Sequence, residues 1–422
     1  MLRVLLVQTA QGLSPSSGGY KANINLLRAL TSQGHAAAQI CYGRQDEIEQ
    51  FIDRANFKGI ELNKSSKPLS LVDKEGFVFD SFTKMFHDED NVYNVEDTRA
   101  YLERDNISAR MQALIDLWEA RIKEFKPTHV IFNDPITMKV TGHEKFAGMF
   151  KRINIIHTAE QLPFGPFCAG VDGHCLSPEV EDRMLRELDG IWSVSKAVQD
   201  YAWNYGKLKT KFLVHPTLTY LDATRSMPVV RHNIDKDEIG MVNPCPHKGL
   251  AILVALAKQF PNLKFVTWKS WGSRSVHMRQ LEELPNIRIE NTTKNTDEIW
   301  DRIKILLAPS LWHEAWGIIV TEAQLRGIPV IASNAGGLPE AKIGLPYCIK
   351  VKEVTGERYA NGDYVVPDQD ITPWAAAVSK AMHNRKHYKW LANLTATRAA
   401  EWINSLDGRA HEMWLQSMME EE

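Results

Sequence analysis

Residues 304–323 read KILLAPSLWHEAWGIIVTEA. The run Lys304–Ala308 has the apolar character of a short strand, and Pro309-Ser310 ends it. Gly317 permits close backbone approach, and Ile318–Ala323 opens a helix. Glu314 therefore lies in the loop and Glu322 a turn or more into the helix. N–H groups at a helix start make a natural diphosphate site. A carboxylate on either side can accept hydrogen bonds from vicinal hydroxyls of a sugar or a ribose.

The same strand–loop–helix rhythm extends outward from this stretch. Downstream, Pro329–Ser333 reads as a strand. Upstream come strands Ile239–Val242, Leu263–Trp268 and Ile287–Ile289, and a helix Lys248–Phe260 with Leu253, Leu256 and Ala257 on one face. A second series occupies the first half: strand Arg3–Gln8, a helix over Tyr20–Gln33 with Ile24, Leu27 and Leu30 on one face, and strand Ala36–Cys41. Short apolar runs follow at His129–Phe132, Arg152–Ile156 and Gly190–Val194. Such alternation predicts α/β layers on parallel sheets. The loop His215–Val230, with Pro216 and Pro228, separates the two series. Residues 43–106 are polar and irregular and read as an insertion, with disorder over part of it as the alternative. Trp374–Met419 reads as helices. The expected division is 1–215, 216–395 and a helical tail, 396–422, that packs back on the first domain.

The bulk numbers exclude several classes. At ~100–200 residues per domain, 422 residues suggest two or three domains. A formal net charge of −2 gives no global field to recruit nucleic acid or an acidic membrane. The apolar run near Met1 is too short for a signal-peptide core or a span, and no ~20-residue apolar stretch follows. The five cysteines include no CxxC pair and fit reduced thiols in the cytoplasm. The acidic run His87–Asp90 follows no strand and reads as a solvated charge run rather than a metal site. Neither HExxH nor GxSxG occurs, and no aromatic–basic stripe suggests nucleic acid.

The segment Glu314–Glu322 resembles the EX7E signature of GT-B glycosyltransferases, family 4 in particular. The stretch 326–340, RGIPVIASNAGGLPE, is similar to that family as well. The spacing alone would be weak, since two glutamates eight apart are common on helices; the surrounding block carries the resemblance. It implies two Rossmann-like domains facing each other across a cleft, with the donor mainly in the C-terminal one. Glu314 would hold donor-sugar hydroxyls, and Glu322 the ribose hydroxyls. The backbone N–H groups of Trp316, Gly317, Ile318 and Ile319 would meet the sugar or diphosphate. Neither metal nor cofactor is implied, and the expected outcome is retention of anomeric configuration.

Other residues gain roles through the same resemblance. Gly18-Gly19, before the first helix, matches the N-terminal glycine loop lying across the cleft from the donor diphosphate; a plain tight turn is the alternative. Lys248 of the Lys248-Gly249 pair would neutralise the leaving diphosphate. The family usually has an Arg five residues earlier, where this chain has Asn243, which donates a hydrogen bond but no charge. Lys269 and Arg274 are candidate replacements, with a surface role as the alternative for Lys269. His157 follows a strand and faces the ligand crevice in such a sheet, at a point where the family places a His near the donor sugar; a structural histidine is the alternative. Phe164 and Phe167 either line an acceptor pocket or belong to the core. Ser195 reads as a helix cap, and Asn291-Thr292-Thr293 as a candidate base contact.

The expected activity is transfer of a hexose-type sugar from a nucleotide diphosphate sugar to a hydroxyl of a small soluble acceptor. The rivals are a nucleotide-sugar epimerase or hydrolase of the same fold, and a non-catalytic nucleotide-sugar-binding scaffold.

Overall fold

The computed structural model describes residues 1–11, 18–42, 62–63, 69–72, 78–81, 95–168, 175–217, 227–291, 293, 295–360 and 362–420. Ser17, the run His87–Asp90, Thr292 and the middle of the expected linker lie outside the described residues. The chain forms two compact units, residues 1–219 with 407–422, and residues 220–406.

Among the described residues the first unit has nine strands: β1 (Arg3–Gln11), β2 (Ala36–Tyr42), β3 (Leu62–Asn63), β4 (Leu69–Val72), β5 (Val78–Ser81), β6 (His129–Phe132), β7 (Lys151–Ile156), β8 (Gly190–Ser193) and β9 (Lys211–Val214). Their order is β3-β4-β5-β2-β1-β6-β7-β8-β9. Among the described residues of this sheet, β3–β4 and β4–β5 pair antiparallel and the other neighbours parallel. On β1, Val4 sits opposite Ala37 on one side and His129 on the other. Leu2, Val4, Leu5, Leu6 and Val7 are each at most 1% exposed. Burial on both faces is why this strand reads as an unbroken apolar run rather than an alternation. The helix Gly18–Ser32 buries Ile24, Leu27 and Leu30, the predicted face.

Two expectations for this unit change. Within 43–106, three short strands extend the sheet, β5 running parallel to β2, and the helix Val95–Arg104 buries Tyr101 and Leu102. Runs of two to four residues are too short for a period to show. The expected break at 395/396 falls inside a continuous helix, Arg385–Ser405, and the segment belonging to the first unit begins at Asp407. Its helix Ala410–Ser417 packs at the start of β8, where a Cβ on Gly190 would come 2.5 Å from Met418 and 2.7 Å from Trp414. His35 Nε2 lies 3.0 Å from Glu412 Oε1, and Gln33 Nε2 donates to the Gly408 carbonyl at 2.8 Å.

The second unit carries β10 (Glu238–Val242), β11 (Lys264–Trp268), β12 (Ile287–Glu290), β13 (Ile303–Ala308), β14 (Val330–Ser333) and β15 (Cys348–Ile349). The order β12-β11-β10-β13-β14-β15 is the doubly wound 3-2-1-4-5-6 pattern, all parallel. The strand order reverses between β10 and β13, so the loops leaving their carboxyl ends open the crevice where ligands bind in such sheets. The expected helix Lys248–Phe260 is a 3₁₀ turn, Pro246–Lys248, followed by a helix, Leu250–Gln259. Gly249, at φ +92°, separates them, because a left-handed residue cannot continue a right-handed helix.

Candidate active site

Adjacent loops after β10 and β13 bring Lys248 and Glu314 together in the second unit. Their side chains form a hydrogen-bonded ion pair, with Lys248 Nζ donating to Glu314 Oε1; both are mostly buried, 21% and 15% exposed. Burial alone would raise the Glu314 carboxyl. The charge and hydrogen bond of Lys248, with help from Ser310 and His247, outweigh it and hold the group below its ordinary value.

Glycines set the geometry of this pair. A Cβ on Gly249 would lie 2.1 Å from the Pro309 carbonyl oxygen, so the turn after β10 presses onto the loop after β13. The Leu311 N–H donates to the His247 carbonyl at 2.8 Å across the same contact. Gly337 N–H donates to the Glu314 carbonyl at 2.6 Å, and a Cβ on Gly336 would lie 2.4 Å from that oxygen. The Gly336-Gly337 pair is thus a backbone support for Glu314.

Gly317, at φ +102°, caps the helix Ile318–Leu325. The first N–H groups of a helix have no partner within it, and they gather partial positive charge. Trp316 is buried: its Nε1 donates to Thr321 Oγ1 at 3.0 Å, and its ring stacks on Trp402 at 5.7 Å. Trp316 therefore offers a ligand its backbone and not its ring. Ile318, Ile319 and Glu322 are half-exposed, and the Glu322 carbonyl accepts from Arg326 at 3.1 Å.

Asn243 explains its own departure from the expected cation. It is in the left-handed region, φ +58°, and buried. Its N–H donates to the Trp268 carbonyl at 2.9 Å, and its Oδ1 accepts from the Gly272 N–H at 3.0 Å. Asn tolerates this conformation better than most side chains. The residue ties the loop after β11 to the loop after β10. Lys269 opens that tied loop and is half-exposed. Arg274 is drawn aside into an ion pair with Asp363. The tied loop also presents Trp271, 73% exposed and stacked on His247 at 5.7 Å. Burial, then the neighbouring Lys248 charge, push the His247 imidazole down to about 4.

In the first unit, His157 follows β7 and meets the glycine loop. A Cβ on Gly19 would lie 2.9 Å from His157 Cγ, so the second glycine is required by the imidazole. Gly18 opens the same helix. Burial pushes His157 down to about 4, leaving it neutral at pH 7. Phe164 packs over Gly206, where a Cβ would come 2.2 Å from its ring. Phe167 is 4% exposed and tilted against Tyr201 at 6.1 Å. The Tyr201 hydroxyl accepts from the Phe167 N–H and donates to the Phe164 carbonyl. Phe167 is thus buried against Tyr201, in line with the core alternative of the sequence reading. Ser195 caps the helix Lys196–Tyr201, accepting from the Val198 N–H at 3.1 Å.

Sequence reasoning missed Asn23 and Gln161, which hydrogen-bond His157, Gln8, which holds Asn23, and the exposed Trp271. A cavity of about 420 Å³ in the first unit, lined by Thr128, Lys151 and Arg152 among others, lies at the amino ends of β6 and β7, away from His157; another, of about 660 Å³, is lined by Tyr101, Lys139 and Arg152 among others. Among the described residues no helix is long and apolar enough to cross a membrane.

Comparison with known proteins agrees with this layout. Residues 239–384 match the family described as Glycosyl transferases group 1. Sucrose-phosphate synthase from Thermosynechococcus elongatus is similar at a TM-score of 0.67 and 14% identity, over 99% of this chain and 98% of that one. Anabaena HepE, solved with UDP and glucose, gives 0.60 and 12% over 100% of both chains. The pneumococcal O-GlcNAc transferase GtfA, solved with UDP and GlcNAc, gives 0.55 and 13% over 99% of both. An uncharacterized 41.2 kDa protein in the cps region of Klebsiella pneumoniae is 56% identical over 36 residues, 8% of this chain and 10% of that protein. The chain therefore has the two-domain GT-B fold, and residues 239–384 of its second unit are similar to the Glycosyl transferases group 1 family.

Proposed function

We propose that the chain is a retaining, metal-independent glycosyltransferase that moves a hexose from a nucleotide diphosphate sugar to a hydroxyl of a small soluble acceptor. The observation that carries this reading is the Lys248–Glu314 pair beside the start of the helix Ile318–Leu325, at the switch point of a parallel sheet. The matched Glycosyl transferases group 1 domain covers these residues.

Lys248 and the first helix N–H groups would hold the diphosphate and stabilise the charge that develops on it as it leaves. Glu314 would orient the sugar through its hydroxyls, and Glu322 would take the ribose hydroxyls. Lys269 would add charge near the tied loop. His157 and the Gly18-Gly19 loop would contribute from the first unit, with Phe164 toward the acceptor. The acceptor hydroxyl attacks the anomeric carbon on the face from which the diphosphate departs, and the departing phosphate oxygen takes its proton. Catalysis then rests on positioning and electrostatics, with no protein nucleophile. The five thiols, none in a disulfide, fit a cytoplasmic setting.

The test is a thermal-shift panel of nucleoside diphosphates and nucleotide sugars, followed by transfer assays with the donor it selects. The expected result is a raised midpoint with one base class, abolished in Lys248→Ala and Glu322→Ala. Equal shifts in wild type and both variants would remove the assignment. Rapid donor conversion without any acceptor would move it to a hydrolase or epimerase.

A further inference from the structure

We propose that Asn23 is a positioning residue for His157, holding the imidazole with its proton on Nε2 and its acceptor on Nδ1. The proposal rests on the reading of His157 as a substrate-facing group.

The ring is held from several sides. Gly19 leaves room for it at the first helix, and the edge of Trp192 lies 6.1 Å away at 73°. His157 Nε2 is 2.7 Å from Asn23 Oδ1. Asn23 is fully buried on the helix Gly18–Ser32, and its Nδ2 donates to Gln8 Oε1 at 3.2 Å, from a fully buried residue of β1. In the structure the Asn23 nitrogen is turned to Gln8 Oε1 and its oxygen to the ring. The tautomer follows from this network: Nε2–H donates, and Nδ1 keeps its lone pair. The backbone is fixed as well. Gln161 Oε1 accepts from the His157 and Thr158 N–H groups at 2.7 and 3.2 Å, and Gln161 Nε2 donates to the Asn133 carbonyl at 2.9 Å.

A neutral ring held this way does not trade protons near pH 7. It supplies one fixed acceptor, suited to a hydroxyl of a sugar. Such a role depends on the tautomer, which Asn23 sets from outside the substrate's reach. None of the motifs at Glu314–Glu322, Lys248-Gly249 or Gly18-Gly19 includes Asn23.

The first test needs no substrate. Full-length protein labelled with ¹⁵N-histidine is compared with His157→Gln to assign the His157 signals. At pH 7 the wild type should show the Nε2–H tautomer alone, and Asn23→Ala a mixture. An Nδ1–H tautomer in the wild type overturns the proposal. The second test uses the nucleotide sugar selected from UDP-glucose, UDP-GlcNAc, GDP-mannose and ADP-glucose. Asn23→Ala should lower kcat about tenfold, with the Kd of the free nucleoside diphosphate unchanged. Asn23→Asp keeps an acceptor toward Nε2 and adds a charge that favours imidazolium. It should recover turnover at high pH and show a new acidic limb in its profile. Wild-type turnover in Asn23→Ala, with His157→Ala inactive, overturns this proposal alone. Wild-type turnover in His157→Ala overturns the reading of His157 on which it rests.

Discussion

Lys248 and Glu314 are hydrogen-bonded to each other across two loops that leave neighbouring strands, β10 and β13. The ammonium beside it holds the mostly buried Glu314 carboxyl ionised, so removing Lys248 alone strands the carboxylate. Lys248→Met is expected to abolish nucleoside diphosphate binding and to lower turnover by roughly 100- to 1,000-fold. The stranded carboxylate should cost about 3–5 kcal/mol of stability. Isothermal calorimetry and urea melts check the two effects separately. Lys248→Met with unchanged stability would show that the pair is not closed in solution.

The pair also sets an acid limit. The folded Glu314 carboxyl lies below the 4.5 of an unperturbed glutamate. Its contribution is therefore complete above pH 4.5 and is lost as pH falls through the depressed folded value. Glu314→Gln should flatten stability specifically below pH 4.5, as read by urea midpoints at stepped pH. An identical acid profile in wild type and variant would contradict the assignment.

Gly249 and Gly336 are expected to tolerate no side chain. Both have positive φ, and a Cβ at either would collide with backbone atoms, of Pro309 and Glu314 respectively. Left-handed strain alone costs roughly 1–2 kcal/mol for an L-residue, and the steric overlap adds to it. Gly249→Ala and Gly336→Ala should each unfold at lower denaturant and lose donor binding. By contrast, Gly344→Ala, whose Cβ would meet nothing, should show the strain cost only.

Placing at position 243 the arginine that the resemblance leads one to expect should hurt. Asn243→Arg supplies charge, yet it removes the acceptor for the Gly272 N–H and puts a long side chain at φ +58°. Turnover is expected to fall, and emission from Trp271 on the released loop to change. A rise in turnover would mean that charge, rather than the tie between loops, limits this site.

Four histidines among the described residues make the first unit acid-sensitive. Burial pushes His129 and His157 down to about 4, His215 down, and His411 well below its ordinary value. His411 packs 4.5 Å from Trp192 and 4.8 Å from His215. Each folded value lies below the 6.5 of the unfolded chain, so the unfolded state binds protons first. Stability should be complete above pH 6.5 and fall as pH drops toward 4, by up to about 1.4 kcal/mol per pH unit per histidine. Urea midpoints at pH 7.5 and 5.5 check this. His411→Phe should reduce the slope; equal midpoints at the two pH values would refute it.

The doubly buried strands were legible because both faces are apolar, as on β1, β10 and β13. The positions of Gly317, Lys248 and Glu314 after strands were legible because turn residues sit between those runs. Strand β9 was not, since its residues alternate little and stay partly exposed. The boundary at Leu406 was hidden inside a helical pattern that continues across it. Asn23 was invisible because a buried amide on a helix face looks like any polar helix residue. Only the fold brings it to within 2.7 Å of His157. Phe167 reads the same in a pocket or a core, and Tyr201 decides it.

The plug at Gly190 bears on synthesis. Trp414 and Met418 cover the start of β8, yet they follow the whole second unit in the chain. During translation at ~5–20 residues per second, the first sheet waits at least several seconds with that patch and its histidine neighbours uncovered. The patch at the start of β8 therefore stays open in the nascent first unit until the helix Ala410–Ser417 has emerged behind the whole second unit.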